Sequence, residues 1–190
     1  MSSHHIIREK QEPALLIADL HDFDLENLGQ LLEWSPTVVV LKNAVEKIAS
    51  LGLKIDVIVG DEDAHSFTQE HTKFIKATHN QLLDTAFLFL IEEGYPAVNV
   101  IVENFNIDPY PKYVGDIDIV LLNKNQRAFT IKSGFSKWKP AHEQVHLLSK
   151  ADDLHYEGLK PFSTNSFITE KDGLYKFTFA NNFIFIAESL

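Results

Sequence analysis

Three consecutive carboxylates, Asp61, Glu62 and Asp63, follow Gly60 at the end of the apolar, β-branched run Val57-Ile58-Val59. Such a run reads as a strand buried on both faces. In an open parallel sheet, ligands bind outside the carboxyl ends of the strands, and a glycine there lets the backbone turn sharply and approach a ligand closely. If the chain stays extended past Gly60, Asp61 and Asp63 point to one side and Glu62 to the other. Paired carboxylate oxygens on one side suit Mg²⁺, which takes oxygen ligands and keeps waters and a substrate phosphate in its shell. The plainer alternative is an acidic loop whose charges are solvated. A second pattern, His142-Glu143-Gln144-Val145-His146, fits H-E-x-x-H. On a helix that spacing puts two imidazoles on one face for zinc, with Glu143 as the base of a hydrolase. Pro140 ahead of it and Leu147-Leu148 behind it make a helix conceivable. The longer metzincin pattern fails, because Ser149 stands in place of its glycine and Asp152 in place of its third histidine. His65, His71 and His79 match no ligand spacing and read as solvated loop histidines.

The elements that must position the acidic turn alternate in type. Pro13 to Ala18 reads as a buried strand ending at Asp19, and Leu25, Leu28, Leu31 and Leu32 follow at helical spacing behind an Asp24 cap. Thr37 to Leu41 is a second strand, and Ala44, Val45, Ile48 and Ala49 make a second helix closing at Leu51-Gly52. Beyond the acidic turn come a short strand over 74–78, a helix over 82–91 stopped by Gly94-Tyr95-Pro96, a strand over 97–102, a proline- and asparagine-rich loop over 103–111, and a strand over 117–122. This alternation predicts an α/β fold, a parallel sheet with helices on both faces. Past Asn125 the texture changes to short, partly alternating runs, Ala128 to Ile131, Tyr175 to Phe179 and Phe183 to Ala187, with turn pairs Asp172-Gly173 and Asn181-Asn182. The last two runs read as an antiparallel hairpin. The expected organisation is therefore a three-layer α/β domain over 1–125 and a small antiparallel β-sandwich domain over 126–190, its core supplied by the late phenylalanines Phe162, Phe167, Phe177, Phe179, Phe183 and Phe185.

Composition narrows the function. The net charge of −10, with no basic stretch or basic helix face, argues against nucleic acid or an anionic membrane as partner, and a phosphorylated ligand needs a metal or local donors. The absence of cysteine excludes disulfides and thiolate metal sites. The stretch Met1-Ser2-Ser3-His4-His5-Ile6-Ile7-Arg8 lacks the apolar region of a leader, and no apolar run approaches the roughly 18 residues of a membrane span, so a cytoplasmic protein is expected.

Leu51-Gly52, the strand Leu53-Lys54-Ile55-Asp56-Val57-Ile58-Val59-Gly60 and the turn Asp61-Glu62-Asp63-Ala64 together resemble the central motif of thiamine pyrophosphokinases: leucine-glycine, a strand ending aspartate-hydrophobics-glycine, then aspartate-x-aspartate-serine. The helix ending Ile91-Glu92-Glu93-Gly94-Tyr95-Pro96, the segment Glu157-Gly158-Leu159-Lys160 and the late Asp172-Gly173 turn extend the resemblance over most of the chain. It implies a parallel-sheet domain joined to a β-sandwich, a homodimer, and transfer of a pyrophosphoryl group from ATP to thiamine with Mg²⁺ held by aspartates. Asp61 and Asp63 are the site residues it carries over, as metal ligands and catalytic groups. Such chemistry is mostly positioning and charge neutralisation.

Departures from the motif bear on that chemistry. Where the family has aspartate-glycine nine positions before leucine-glycine, this chain has Lys42-Asn43. Gln81-Leu82 replace a threonine-aspartate, with Asp84 nearby as a partial substitute. The loop Asn104 to Tyr110 replaces a glycine-arginine-rich loop, with Asp108 its one acid, and Thr164-Asn165-Ser166 offers serine-asparagine chemistry in a shifted order. Lys42, if it faces the crevice, either pairs with Asp61 and Asp63 in the place of a metal or contacts a phosphate as a point charge. Otherwise it lies in solvent at a helix start. Two functions stand open: an enzyme making thiamine diphosphate and AMP, and a catalytically silent relative serving as a ligand-binding or regulatory dimer.

Overall fold

A computed structural model describes residues 12–190, so the leader reading of Met1–Arg8 lies outside the described residues. The chain divides into two compact units, Met1–Glu103 with Tyr113–Ile119, and Asn104–Lys112 with Val120–Leu190. The first alternates strand and helix: β1 (Ala14–Ile17), α1 (Leu25–Glu33), β2 (Val38–Leu41), α2 (Lys42–Ser50), β3 (Val57–Gly60), α3 (Glu62–His65), β4 (Lys73–Lys76), α4 (Leu82–Glu92) and β5 (Ala97–Ile101). The strands pair in parallel in the order β5-β1-β2-β3-β4. Every residue of β1, β2 and β3 is buried, so both faces of the sheet are covered, as in a three-layer α/β domain.

Local chemistry fixes the helix ends. The Asp24 carboxylate caps α1 by accepting from the Glu26 and Asn27 N–H groups. Ser35, at φ +50°, turns the chain off that helix, and Gly52 and Gly94, at φ +68° and +77°, do the same after α2 and α4. Asp56, the aspartate of the strand motif, lies at the far end of β3 from the acidic turn. Its carboxylate accepts from the Val38 N–H at 2.9 Å and stitches the start of β2 to the chain entering β3.

The chain passes to the second unit within β6 (Asp118–Leu122). There follow β7 (Gln126–Ile131), β8 (Ser136–Lys139), β9 (Gln144–Leu147), β10 (His155–Glu157), β11 (Leu159–Ser163), β12 (Ser166–Thr169), β13 (Gly173–Thr178) and β14 (Ile184–Ser189). One antiparallel layer runs β7-β14-β9-β12-β11 and the other β10-β13-β8. Val145, Phe167, Ile184 and Ile186 from the first and Tyr175 and Phe177 from the second share one core, whereas Phe162, expected there from sequence, lies exposed at the outer strand β11. The unit is an antiparallel β-sandwich.

Two sequence expectations are corrected here. β13 and β14 are not a hairpin: β13 pairs with β10 and β8, β14 with β7 and β9. The apolar faces of the two strands meet across the core from opposite layers, and Asn181-Asn182 turns a corner between layers. Its geometry is held by the Asp152 N–H donating to Asn181 Oδ1 and the Ala180 N–H to the Asp152 carbonyl. The H-E-x-x-H segment is a turn and a strand, not a helix. The His142 N–H donates to the Thr169 carbonyl and the Glu143 N–H to Thr169 Oγ1, while that buried hydroxyl donates to the Pro140 carbonyl. His142 lies exposed at φ +66° and His146, four residues on in extended chain, bonds Ser166 Oγ through Nδ1. Four residues of strand span about 13 Å, too far for two imidazoles to share one zinc.

Candidate functional site

The carboxyl edge of the parallel sheet is built from residues that follow directly on buried strands. β2 runs into α2 with no intervening loop, so Lys42, directly after the last strand residue Leu41, is the first residue of the helix. Leu41 pairs with Val59, which sets Lys42 beside Gly60. A Cβ on Gly60 would lie 2.6 Å from Ala64 Cβ and 3.2 Å from Lys42 Cβ. Glycine is required because α2 and α3 close over the strand end, whereas the sequence pointed to a close approach by a ligand. Asp61 then takes the N-cap position of α3, and Asp63 lies within that helix, so the turn is not extended.

Both aspartates converge on one ammonium. Lys42 Nζ stands 2.5 Å from Asp61 Oδ2 and 3.5 Å from Asp63 Oδ2. Asp61 is half-exposed and Asp63 nearly fully exposed, so this is a partly solvated bridge rather than a buried pair. The hydrogen bond from Lys42 holds the Asp61 carboxyl below its usual range, and the bond to Asp61 raises the Lys42 ammonium in turn. The second oxygen, Asp61 Oδ1, is buried and among the described residues has no partner at hydrogen-bond geometry, while the Ala64 and Asp63 backbone N–H groups also favour the charged carboxylate. Glu62 turns the other way, to Lys76 Nζ at 2.5 Å, and that bond depresses its carboxyl as well. Each carboxylate of the acidic turn thus has a lysine from a neighbouring strand end. His65, beside the turn, packs edge-on against Phe74 at 4.8 Å.

Asp19 belongs to the same edge and was missed from sequence. The Ala18 and Asp19 N–H groups both donate to the Ile101 carbonyl, and Ile17 pairs with Val40, which places Asp19 next to Lys42 in the row of strand ends. Its carboxylate accepts from the His21 N–H at 2.8 Å, and Lys47 of α2 ties the following loop through the Leu20 and His21 carbonyls. Ile17-Ala18-Asp19 and Val59-Gly60-Asp61 share one pattern, an apolar strand, a small residue and an aspartate. Comparing the strand ends with each other would have found it.

The remaining sequence candidates are placed elsewhere or tied to neighbours. Asp84 accepts from Tyr113 Oη at 2.7 Å, and the Tyr113 ring stacks on Phe87 at 4.5 Å. Asp108 and Thr164-Asn165-Ser166 lie in the second unit, Asp108 in an exposed loop. Among the described residues no group of three or more histidine, aspartate or glutamate side chains is arranged to hold a metal ion. With Lys42 between Asp61 and Asp63, the donor set does not fit Mg²⁺.

No protein-family model matches the sequence, and no curated protein does. Solved structures do. The chain is similar to thiamine pyrophosphokinase from Bacillus subtilis, with 15% identity and a TM-score of 0.64 over 94% of this chain and 99% of that one. It is likewise similar to thiamin pyrophosphokinase from Geobacillus thermodenitrificans, with 10% identity and a TM-score of 0.68 over 94% and 98%. Yeast thiamin pyrophosphokinase matches with 9% identity and a TM-score of 0.65 over 98% of this chain and 88% of that one. The fold is that of the thiamine pyrophosphokinases along nearly its whole length. Among the described residues no helix is long and apolar enough to cross a membrane.

Proposed function

We propose that this protein is a catalytically silent relative of the thiamine pyrophosphokinases, a cytoplasmic homodimer that uses their fold to bind a small molecule of the thiamine or nucleotide class. The observation that carries the reading is the Lys42 ammonium on both Asp61 and Asp63. Pyrophosphoryl transfer from ATP requires divalent charge to bridge and neutralise the phosphates. Here the carboxylates that would bring in that charge are already paired with a monovalent cation. Lys42 has three N–H donors, two of them aimed at the aspartates, which leaves one for an anionic group of a ligand. The second reading, an active enzyme with Asp61 and Asp63 on Mg²⁺, is favoured by a fold likeness that spans almost the entire chain.

Turnover decides between them. The purified protein is mixed with thiamine, ATP and Mg²⁺ and AMP is followed, with an Asp61→Asn, Asp63→Asn double variant alongside. The silent reading expects no AMP above background from either folded protein. AMP formation by the wild type that vanishes in the double variant would establish the enzyme instead.

A further inference from the structure

Lys42 stands where the local field favours a carboxylate. It opens a nine-residue helix whose first turn holds no acidic residue. The N-terminal end of a helix dipole attracts anions and opposes a cation. What holds the ammonium there is the next strand end, through Asp61 and Asp63. Asp61 and Asp63 are the residues that would hold a divalent cation at this strand end, and the Lys42 ammonium supplies the positive charge there instead. The close approach of α2 and α3 across Gly60, with Lys42 Cβ and Ala64 Cβ both within 3.2 Å of where a Gly60 side chain would begin, brings the base of the Lys42 side chain next to the acidic turn.

We infer that Lys42 is a tethered cation in place of a divalent metal, which makes this crevice independent of Mg²⁺, and that removing its ammonium uncovers a divalent-cation site formed by Asp61 and Asp63. The charge count supports this. Lys42, Asp61 and Asp63 together carry −1; a neutral residue at position 42 leaves −2, and an aspartate gives −3 beside two helix N-termini. Among the described residues Asp61 Oδ1 has no partner at hydrogen-bond geometry, and the Asp63 and Ala64 backbone N–H groups favour the charged form of the same carboxylate. Lys42's role rests on the strand-end site of the silent reading but not on the absence of turnover.

The test is Mn²⁺ binding to the full chain, read from loss of the free-ion electron paramagnetic resonance signal, with Lys42→Met and Lys42→Asp beside the wild type. The wild type is expected to show no saturable site in the millimolar range. Lys42→Asp gains a single site at least about tenfold tighter, because affinity for a hard cation rises with the charge of its ligands. Lys42→Met gains the same site more weakly, and Asp61→Asn abolishes it in both backgrounds. Should Lys42→Asp fail to fold, Lys42→Met decides alone, since it adds no charge. A saturable wild-type site that Asp61→Asn removes would overturn the assignment, as would folded position-42 variants that bind Mn²⁺ no better than wild type. Turnover by the wild type without such a site sinks the silent reading and leaves the tethered cation standing.

Discussion

Gly60 shows how one residue sets the chemistry around it. Its missing side chain lets the first turn of α2 and the short α3 meet over the end of β3, and that meeting brings Lys42 within reach of Asp61 and Asp63. Gly60→Ala forces a Cβ to within 2.6 Å of Ala64 Cβ, so α3 has to move. Overpacking of this kind costs about 1–3 kcal/mol. The urea midpoint is expected to fall accordingly, and Ala64→Gly should restore part of the loss, because it removes the atom that clashes. No restoration would mean that α3 is not the element under strain. The sequence made the acidic turn and Lys42 visible and left the pairing of Lys42 open, since facing direction depends on whether a loop separates β2 from α2. None does.

At the scale of the elements, the α/β half was readable because each buried strand is an unbroken apolar run and each helix carries its own stop signal, Ser35-Pro36, Gly52 or Gly94. α3, a single turn of helix, was not, because three carboxylates in a row give no apolar period to read. In the sandwich, β14 misled: it is flanked by β7 and β9 and buried from Ile184 to Glu188, so the alternation expected of a half-exposed strand is missing. Glu188, the residue after the run read from Phe183 to Ala187, is fully buried. Tyr175 Oη donates to its Oε1 at 2.5 Å, Lys137 Nζ bonds Oε2, and Arg127 and Lys139 stand 3.4 and 3.8 Å from that oxygen. Burial pulls this carboxyl upward, but the bonds from Lys137 and Tyr175 and the charges of Lys137 and Lys139 outweigh it and hold it low. The network joins the two layers through charge as well as through the aromatic core. Among the described residues, Glu188→Gln leaves Lys139, one-tenth exposed, with only Glu143 at 3.6 Å, and Lys137 without a carboxylate. Removing one partner from a buried ion pair costs about 3–5 kcal/mol. Tyr175→Phe removes one hydrogen bond to a charged group and costs about 1.5–3 kcal/mol. Urea unfolding of the two variants checks the order. A Glu188→Gln loss smaller than that of Tyr175→Phe would show that the cations reach solvent when the carboxylate is gone.

For the whole molecule, these pairs combine into one pH dependence. Asp61, Glu62 and Glu188 titrate lower in the folded chain than their ordinary values of 3.8, 4.5 and 4.5. The unfolded chain therefore binds more protons than the folded one in the acid range, so stability is full above the unfolded values and falls as pH drops through the folded ones. Lys42, Lys76 and Lys150 titrate above 10.5 when folded. Their contribution is full below that value and is lost as pH rises through the folded ones. The strand-end pairs contribute to both limbs, because Lys42 answers Asp61 and Lys76 answers Glu62, while Glu188 adds to the acid limb. The expected curve of urea midpoint against pH falls below about pH 4 and again above about pH 10.5, where the unperturbed carboxyls and lysines titrate. Salt should act unevenly on it. The exposed Lys76–Glu62 pair is screened at physiological ionic strength, while the buried Glu188 network is not. The acid limb is accordingly expected to persist in 0.5 M salt on the order of a threefold excess over physiological strength, and to flatten in Glu188→Gln. An acid limb that high salt erases, or that Glu188→Gln leaves unchanged, would assign the acid sensitivity to the exposed strand-end pairs instead of the sandwich core.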